Sequence, residues 1–219
     1  THTVSERTDC ANPNSCTYSE EIQNFANWYT YYRKRSYVAK AVMGSLIAGS
    51  TSSRMGFQLF NSTSTVSATS MSSATNRRNL LTTLYGTCIA CSASAPNHGT
   101  PARTALKRVG DHFSGGSSPI LSTANGGECQ QNFNILLTDG YWNGITSPSV
   151  GNADGDNNTS FDGGVYGDTI HNTLADVAMK YYESDLKTTI PDNVPTIAGV
   201  DEADHQHLVT YTVAFGVTG

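Results

Sequence analysis

The chain has 219 residues, of which 37% are hydrophobic and only 14% are charged, and its formal net charge is −5. This length and apolar content predict a single domain with a sizeable core, spanning residues 1–219 with a loop region over residues 1–18. The low charge, with abundant Ser, Thr, Asn and Gly, is typical of secreted domains. The negative net charge argues against nucleic acid and anionic membranes as partners, because phosphate binding needs a basic stripe.

The chain has no run of 18 apolar residues and no positively charged apolar leader. We therefore expect neither a membrane span nor a signal peptide in it. Because the sequence starts at Thr1 rather than at Met, we expect a processed or excised piece of a larger protein.

Five cysteines occur in this charge-poor chain, namely Cys10, Cys16, Cys88, Cys91 and Cys129. They indicate an oxidising compartment and disulfides, with one cysteine left over. The sequence leaves the connectivity open, although Cys10 and Cys16 are close enough for a local loop. Cys88 and Cys91 fit a redox pair or half of a zinc site, but a second metal-spaced pair is lacking, which favours a structural role.

Apolar residues recur at steps of three and four from Ser19 onward and predict one amphipathic helix, capped by Ser19 and ending near Gly49. Aromatic residues at this spacing are either an exposed binding patch or core, and we expect core. They are Phe25, Trp28, Tyr29, Tyr31, Tyr32 and Tyr37.

Residues 54–62 alternate between apolar and polar and predict a half-buried strand. The Ser/Thr-rich run that follows, as far as residue 76, fits an edge hairpin or a surface loop, and residues 77–86 fit a short helix. Thr100 is a good N-cap and Pro101 suits a first helical position, so the next helix is expected to end near Phe113.

Residues 132–140 predict a buried strand, because Ile135-Leu136-Leu137 is continuously apolar, as in a parallel strand covered on both faces. This strand ends in Thr138-Asp139-Gly140. A helix capped by Asp168 and a last strand over residues 208–217 follow. Strands that alternate with helices predict an α/β fold, with a mostly parallel sheet and helices on both faces.

Thr100 and Asp139 are both expected at the carboxyl edge of this sheet, where open α/β sheets place their ligands. A hydroxyl and a carboxylate are hard oxygen ligands that suit Mg²⁺ or Ca²⁺. A helix cap and a turn-forming aspartate explain the same two residues without any metal.

Four segments together resemble the type IV pilus biogenesis and tip-adhesin proteins of the PilC/PilY group. They spread over nearly the whole chain and are residues 24–33 (NFANWYTYYR), 131–143 (QNFNILLTDGYWN), 172–182 (NTLADVAMKYY) and 206–217 (QHLVTYTVAFGV). The strand that ends in TDG and the upstream Gly-Thr-Pro helix start also look like a von Willebrand factor A domain. The resemblance therefore implies a von Willebrand A-like, Rossmann-type sheet.

The adhesion site of such domains uses a D-x-S-x-S loop, a Thr and the Asp of the TDG segment, so the resemblance makes Thr100 and Asp139 its second and third elements. The D-x-S-x-S loop is absent from the 219 residues. Either the first strand, which carries that loop in the family, is missing from this chain, or residues 1–18 replace it, and we expect the first. We accordingly expect Mg²⁺ or Ca²⁺ binding only in a longer protein.

The resemblance further implies adhesion and pilus assembly rather than catalysis. The implied location is extracellular, at the bacterial cell surface or outer membrane and at the pilus tip. The implied partners are minor pilins and the pilus tip complex, a host or surface receptor, and a C-terminal β-propeller of the same protein.

A second candidate is a calcium loop. Counted from Asp154, the oxygen ligands fall at positions that an EF-hand-like loop uses, and they are Asp154, Asp156, Asn158 and Asp162. The pattern then departs from that motif, since Thr159 stands where the motif has Gly and Val165 stands where it has Glu. A solvated, turn-rich loop is the simpler interpretation.

The third candidate is His205 with His207, which are two residues apart in an extended segment, with Asp201 and Asp204 nearby. Such a group suits Zn²⁺ and supports a secreted zinc-dependent hydrolase as an alternative function. No metalloprotease, serine-nucleophile or phosphate-loop motif accompanies it. A von Willebrand A scaffold of another surface assembly is the remaining alternative.

Overall fold

The structure is a computed structural model that describes residues 8–12, 14–87, 99–143 and 147–215. It is a mixed α/β fold, which confirms the predicted class. The helices are α1 (Tyr18–Tyr31), α2 (Arg35–Gly49), α3 (Ala74–Gly86), α4 (Ala102–Ser114) and α5 (Leu174–Glu183), and the strands are β1 (Arg54–Gln58), β2 (Thr65–Ser70), β3 (Phe133–Thr138) and β4 (Val209–Ala214). None of the described helices is long and apolar enough to cross a membrane.

The chain forms two compact units. Unit 1 comprises Thr1–Met55 with Thr69–Cys91, and unit 2 comprises Gly56–Ala68 with Ser92–Gly219. Strands β1 and β2 pair with each other in a two-stranded sheet. The Ser/Thr-rich run therefore contributes a strand, as expected for the hairpin and not for the surface loop. That the whole chain is a single domain stays a prediction.

The predicted long helix of unit 1 is two helices. Lys34 has extended backbone angles, φ −119° and ψ 143°, and it interrupts the helix between Tyr31 and Arg35. The N-cap is Thr17 rather than Ser19, because Thr17 and Glu20 satisfy each other's backbone N–H groups in a capping box. The prediction that the aromatic residues of this segment are core is wrong for α1, which buries no residue.

Helices α2 and α3 pack against each other in unit 1. A Cβ atom on Gly44 would lie only 2.0 Å from the Tyr85 hydroxyl, so this approach of the ring requires glycine. The Lys40 ammonium donates hydrogen bonds to the carbonyl oxygens of Tyr85 and Thr87 at the end of α3. Helix α3 begins at Ala74, three residues before the predicted start, because Ser73 caps it.

Unit 2 contains the predicted parallel strand pair. Strands β3 and β4 are parallel and in register from Phe133 opposite Val209 to Thr138 opposite Ala214. One face of this pair packs on α4 and α5 in a hydrophobic core. The buried residues of this core are Ala102, Leu106, Ile120, Leu136, Val177, Tyr181, Leu186 and Leu208.

Helix α5 is held against α4 by Tyr181. A Cβ atom on Gly110 would lie 2.3 Å from the Tyr181 ring, so only glycine lets the ring lie on α4. The Tyr181 hydroxyl donates a 2.6 Å hydrogen bond to Asp111, and burial together with this carboxylate raises the pKa of Tyr181.

The predicted cap of α5 is wrong. Thr173 caps the helix, because Thr173 and Asp176 form a second capping box. Asp168 lies upstream, where its carboxylate accepts a hydrogen bond from the backbone N–H of Ile170.

The opposite face of the β3–β4 pair is exposed in the described part of the chain. Its exposed residues are Phe133, Ile135, Tyr211 and Val213. Helices were predicted on both faces of the sheet, but in the described residues α4 and α5 pack on one face only. Ile135 is 55% exposed while its neighbour Leu136 is 5% exposed, because successive strand residues point to opposite faces and the helices cover only one of them.

Candidate functional site

Asp139 lies where the sequence placed it, directly after β3 and at the carboxyl end of the parallel pair. The backbone N–H of Phe215 donates to the Thr138 carbonyl, which closes the pair at this end. The Thr138 hydroxyl donates a 2.8 Å hydrogen bond to the Gly140 carbonyl and accepts one from the Gly140 N–H. These bonds turn the chain around Asp139, which is half-buried.

Thr100 lies beside the segment that follows Asp139. The backbone N–H of Thr100 donates to the side-chain oxygen of Asn143, and the Asn143 N–H donates to the Thr100 carbonyl at 3.0 Å. These reciprocal bonds join the segment before α4 to the one after β3. The structure thus brings together the two chain segments that carry Thr100 and Asp139.

The start of α4 differs from the prediction. Pro101 is the N-cap, and the Thr100 carbonyl accepts a 2.8 Å hydrogen bond from the Ala102 N–H. With Pro101 at φ −77° and ψ 58°, this is an inverse γ-turn. The Thr100 side chain makes no capping bond, so the helix-cap interpretation of Thr100 is wrong.

Arg103 and Trp142 extend this edge and were missed by the sequence analysis. The Arg103 guanidinium lies 3.7 Å from the centroid of the half-exposed Trp142 ring, at cation–π distance. Arg103 also donates a hydrogen bond to the Asn172 carbonyl. The two side chains are 39 positions apart, so no local spacing in the sequence links them.

The residues of the predicted calcium loop do not act as one set. Asp154 is buried, and its backbone N–H donates to Asp176 of α5. Asp156 accepts hydrogen bonds from the backbone and side chain of Asn158. Asn157, at φ 56°, has left-handed backbone angles, whereas Thr159, at the glycine position of the motif, does not have a positive φ.

Glu183 of α5 joins Asp156 and Asp162 in one carboxylate group. Each of the three side chains offers an oxygen, and these atoms all lie within 4.8 Å of one another. Spacing along the chain did not reveal Glu183, because it lies on a helix that begins well after the loop. Thr159 donates a 3.1 Å hydrogen bond to Glu183 and so ties the loop to the end of that helix.

Burial raises the pKa of two carboxyl groups in this region. For Glu183, the negative charges of Asp156 and Asp162 raise the pKa further, while the Thr159 hydrogen bond and Lys180 lower it. For Asp154, the charge of Asp176 adds to the effect of burial. Both carboxylates are therefore held in surroundings that disfavour negative charge unless a cation is present.

The ring nitrogens of the two histidines of the third candidate contact other groups of the fold. His207 Nε2 lies 3.0 Å from Asp201, and its Nδ1 lies 2.7 Å from the His205 carbonyl. His205 Nε2 lies 2.9 Å from the Tyr182 carbonyl. Neither histidine belongs to a group of three metal-ligand side chains within the described residues, so this part of the chain gives the zinc hypothesis no geometric support.

One predicted disulfide is confirmed, because Cys10 and Cys16 are bonded. They form a compact group with Glu21, but their sulfur atoms are already used by the disulfide. Among the cysteines that the structure describes, Cys129 carries an exposed free thiol. Cys88 and Cys91 lie outside the described residues.

The aromatic residues of α1 form an exposed face, as in the binding patch that was the second interpretation of these residues. Phe25 packs on Trp28 and Tyr29 with ring centroids about 6 Å apart, and Arg33 lies 4.0 Å from the Tyr29 ring centroid. These rings contact one another while each remains about half exposed.

Comparison with known proteins finds three similar curated proteins, all named type IV pilus biogenesis factor PilY1 and all from Pseudomonas aeruginosa. The protein of strain PAK is 31% identical over an alignment that covers 90% of this chain. The proteins of strains PAO1 and UCBPP-PA14 are 31% and 29% identical over 91% and 98% of it. The chain spans about a fifth of the length of these relatives.

The resemblance predicted from four sequence segments is thereby confirmed. No family model matches the chain, and no solved structure matches it.

Proposed function

We propose that this chain, which is PilY1-like over nine-tenths of its length, is a surface-exposed domain of a type IV pilus-associated protein and serves adhesion and pilus assembly. The observation that carries the proposal is the 31% identity to a named pilus biogenesis factor over 90% of the chain. The proposed location is extracellular, at the bacterial cell surface and the pilus tip.

The proposed fold is von Willebrand A-like. A parallel strand pair packed on α4 and α5, with Asp139 at its carboxyl end, is consistent with one side of such a sheet. Within the described residues, β3 and β4 each have one unpaired edge, and their outer face is exposed. A further strand and helix of a longer protein would pair and pack there.

The proposed adhesion site contains Thr100 and Asp139. Their hydroxyl and carboxylate oxygens suit Mg²⁺ or Ca²⁺, and the bonds to Asn143 hold their segments together. Two side chains are too few for either ion, so the remaining oxygens would come from a D-x-S-x-S loop outside this chain. When bound, such an ion would offer a coordination position to a carboxylate of a receptor.

The proposed role is binding rather than catalysis. Minor pilins and the pilus tip complex, a host or surface receptor and a C-terminal β-propeller are the proposed partners. The internal hydrogen bonds of His205 and His207 favour this role over the zinc-dependent hydrolase.

Immunogold electron microscopy of intact and sheared pili, with antibody raised to this chain, tests the location. We expect label at fibre tips in the bacterium that makes the protein, and none in a strain without it. Label confined to the cell body would contradict the pilus assignment and favour a von Willebrand A scaffold of another surface assembly.

Variants of the full-length protein test the metal site. Asp139→Ala is expected to reduce attachment to the level seen with a chelator, while pilus number stays unchanged. Asp192→Asn removes a charge at an exposed position and serves as the control. Equal attachment by both variants would contradict the role of Asp139.

A further inference from the structure

Helix α1 has a continuous aromatic face that stays exposed in the described part of the chain. Its large apolar residues recur at steps of four and three and so follow one side of the helix, with Trp28 beside them. All are about half exposed or more, and the stripe consists of Tyr18, Ile22, Phe25, Tyr29 and Tyr32. Contiguous apolar surface of this kind marks interaction sites, whereas single exposed apolar residues do not.

Another side of α1 is held by the loop that the Cys10–Cys16 disulfide closes. Glu20 accepts a 2.8 Å hydrogen bond from a backbone N–H of this loop, and the Asn24 amide donates to the Asp9 carbonyl at 3.5 Å. Glu20 and Asn24 are four residues apart and lie on a side of the helix away from Phe25. The helix is thus fixed by the chain itself, and its aromatic face is preformed.

The rings of this face already contact one another. The Phe25 centroid lies 5.9 Å from that of Trp28 and 6.2 Å from that of Tyr29. Rings packed in this way lose little conformational entropy when a partner covers them. Six side chains of this size, each about half exposed, offer on the order of 600 Å² of accessible surface. Two such faces reach about 1,200 Å² together, which is the lower limit of standard specific interfaces.

The two ends of α1 carry opposite charges. Glu20 and Glu21 lie in its first turn, while Arg33, Lys34 and Arg35 follow its last turn. A second α1 that runs antiparallel would bring the acidic end of each helix beside the basic end of the other, whereas a parallel one would place like charges together. An anionic lipid surface would attract one end and repel the other. Charge complementarity therefore favours an antiparallel second copy as the partner.

We propose that two copies of this chain associate through α1, with the two helices antiparallel and related by a two-fold axis. Contacts across such an axis are reciprocal, so Phe25 of each copy would pack on Tyr29 of the other. The same register places Ile22 opposite Tyr32, because both pairs are centred on the level of Asn27. Steps of four and three are also the pattern of helices that pack side by side at a small crossing angle.

The pair would dissociate readily, because so small an interface is expected to have a micromolar dissociation constant. Below that concentration the chain is monomeric, and α1 has the exposure described above. The association uses residues of unit 1 alone, and it stands whether or not the adhesion proposal holds. If that proposal holds, a pair of chains would attach at two points and therefore more tightly than a single chain.

Sedimentation equilibrium of the 219-residue chain, from low micromolar to submillimolar concentration, tests the proposal. A Cys129→Ser background removes an exposed free thiol that could otherwise link two copies. We expect reversible dimerisation. Phe25→Ser and Tyr29→Ser should each weaken it roughly tenfold or more, because buried aromatic residues are the anchors of protein interfaces.

Tyr166→Ser is the matched control, because it removes the same ring from an exposed position in unit 2 and should leave the association unchanged. Circular dichroism checks that each variant folds. Arg33→Glu reverses a charge at the basic end and should also weaken the association, which remains measurable if an aromatic variant does not fold.

Cysteine cross-linking in the same background tests the orientation of the two helices. An equal mixture of Ile22→Cys and Tyr32→Cys chains should form a disulfide-linked dimer on mild oxidation much faster than either variant alone. Parallel helices would give the opposite result, since identical positions would then face each other.

Three results would overturn the proposal. The first is a chain that stays monomeric up to submillimolar concentration, which would leave the aromatic face to a different protein or to another segment of a longer protein. The second is equal dimerisation of the folded Phe25→Ser and Tyr166→Ser variants, which would place the interface elsewhere. The third is faster cross-linking of the single cysteine variants than of their mixture, which would exclude the antiparallel pair.

Discussion

Helices α1 and α5 start in the same way and differ in what they bury. Each begins with a capping box, formed by Thr17 with Glu20 in α1 and by Thr173 with Asp176 in α5. Helix α1 nevertheless buries no residue, whereas α5 buries Asp176, Val177 and Tyr181. Both helices are rich in aromatic residues, so composition does not explain the difference.

The difference arises from what lies beside each helix. Tyr181 is 3% exposed because α4 presents Gly110 and Asp111 to it, while Tyr29 is 50% exposed and contacts Phe25 and Arg33 of its own segment. A capping box is local and forms wherever its sequence occurs. Burial needs a complementary surface from elsewhere in the chain.

The largest expected effect is a difference in stability loss between a variant in α5 and a variant in α1. Tyr181→Ala should lower the free energy of unfolding of unit 2 by about 3–5 kcal/mol, because it empties a packed site and removes the bond to Asp111. Tyr29→Ala should change stability by about 0.5 kcal/mol or less, as is usual at an exposed position. Urea unfolding, together with amide hydrogen exchange in each helix, measures the stability change of both variants.

Tyr181→Phe refines the result, since it keeps the ring and removes only the hydroxyl. Its expected loss is about 1–2 kcal/mol. Equal losses for Tyr181→Ala and Tyr29→Ala would show that α1 is packed in solution and would contradict the comparison.

The next effect tests the α4 surface under Tyr181. Gly110→Ala places a methyl group against the Tyr181 ring and should destabilise unit 2 by about 1–3 kcal/mol. Gly49→Ala, at the end of α2, meets no atom within 4 Å and is the control with little or no loss. A stabilising Gly110→Ala would mean that the ring does not lie on this glycine.

The capping boxes should each contribute about 1 kcal/mol, the box of α5 to the stability of unit 2 and the box of α1 to the local stability of α1. Thr173→Ala should lower the stability of the whole unit 2 by about that amount, because α5 is part of its core. Thr17→Ala should lower hydrogen-exchange protection within α1 alone. Loss of protection in β3 or β4 after Thr17→Ala would show that α1 also supports unit 2.

The smallest effect is a pH dependence at the start of α5. Burial and the charge of Asp176 raise the pKa of Asp154 above its ordinary value of 3.8. The folded chain then holds this proton at pH values where the unfolded chain has lost it. The free energy of unfolding should therefore fall as pH rises from about 4 through the raised pKa.

Asp154→Asn should remove that part of the pH dependence, and Asp192→Asn at an exposed position should not. Urea midpoints between pH 4 and 7, measured in chelator so that no cation compensates the charge, provide the comparison. A slope unchanged by Asp154→Asn would contradict the assignment.

Several elements were predictable from the sequence because their signals are local. The apolar segment Ile135-Leu136-Leu137 identified β3, and the TDG segment placed Asp139 at its end. Errors occurred where two local signals competed. Asp168 and Thr173 are both good caps, and Thr173 is the cap because Asp176 completes its box.

The carboxylate group was only half predictable. Asp156 and Asp162 belong to one oxygen-rich loop that the sequence displays, whereas Glu183 reaches them only because α5 ends beside that loop. Arg103 and Trp142 meet for the same kind of reason, since the turns before α4 and after β3 lie side by side.

The sequence by itself determined the α/β class and the resemblance to pilus proteins, because each is written in short segments whose chemistry does not depend on distant residues. It left the cysteine pairing open, and the structure decided for Cys10 with Cys16. Only the tertiary structure decided that the aromatic face of α1 is exposed, that one face of β3 is bare and that His207 is engaged with Asp201. Burial and long-range pairing depend on which surfaces meet, and a one-dimensional pattern does not specify the partner.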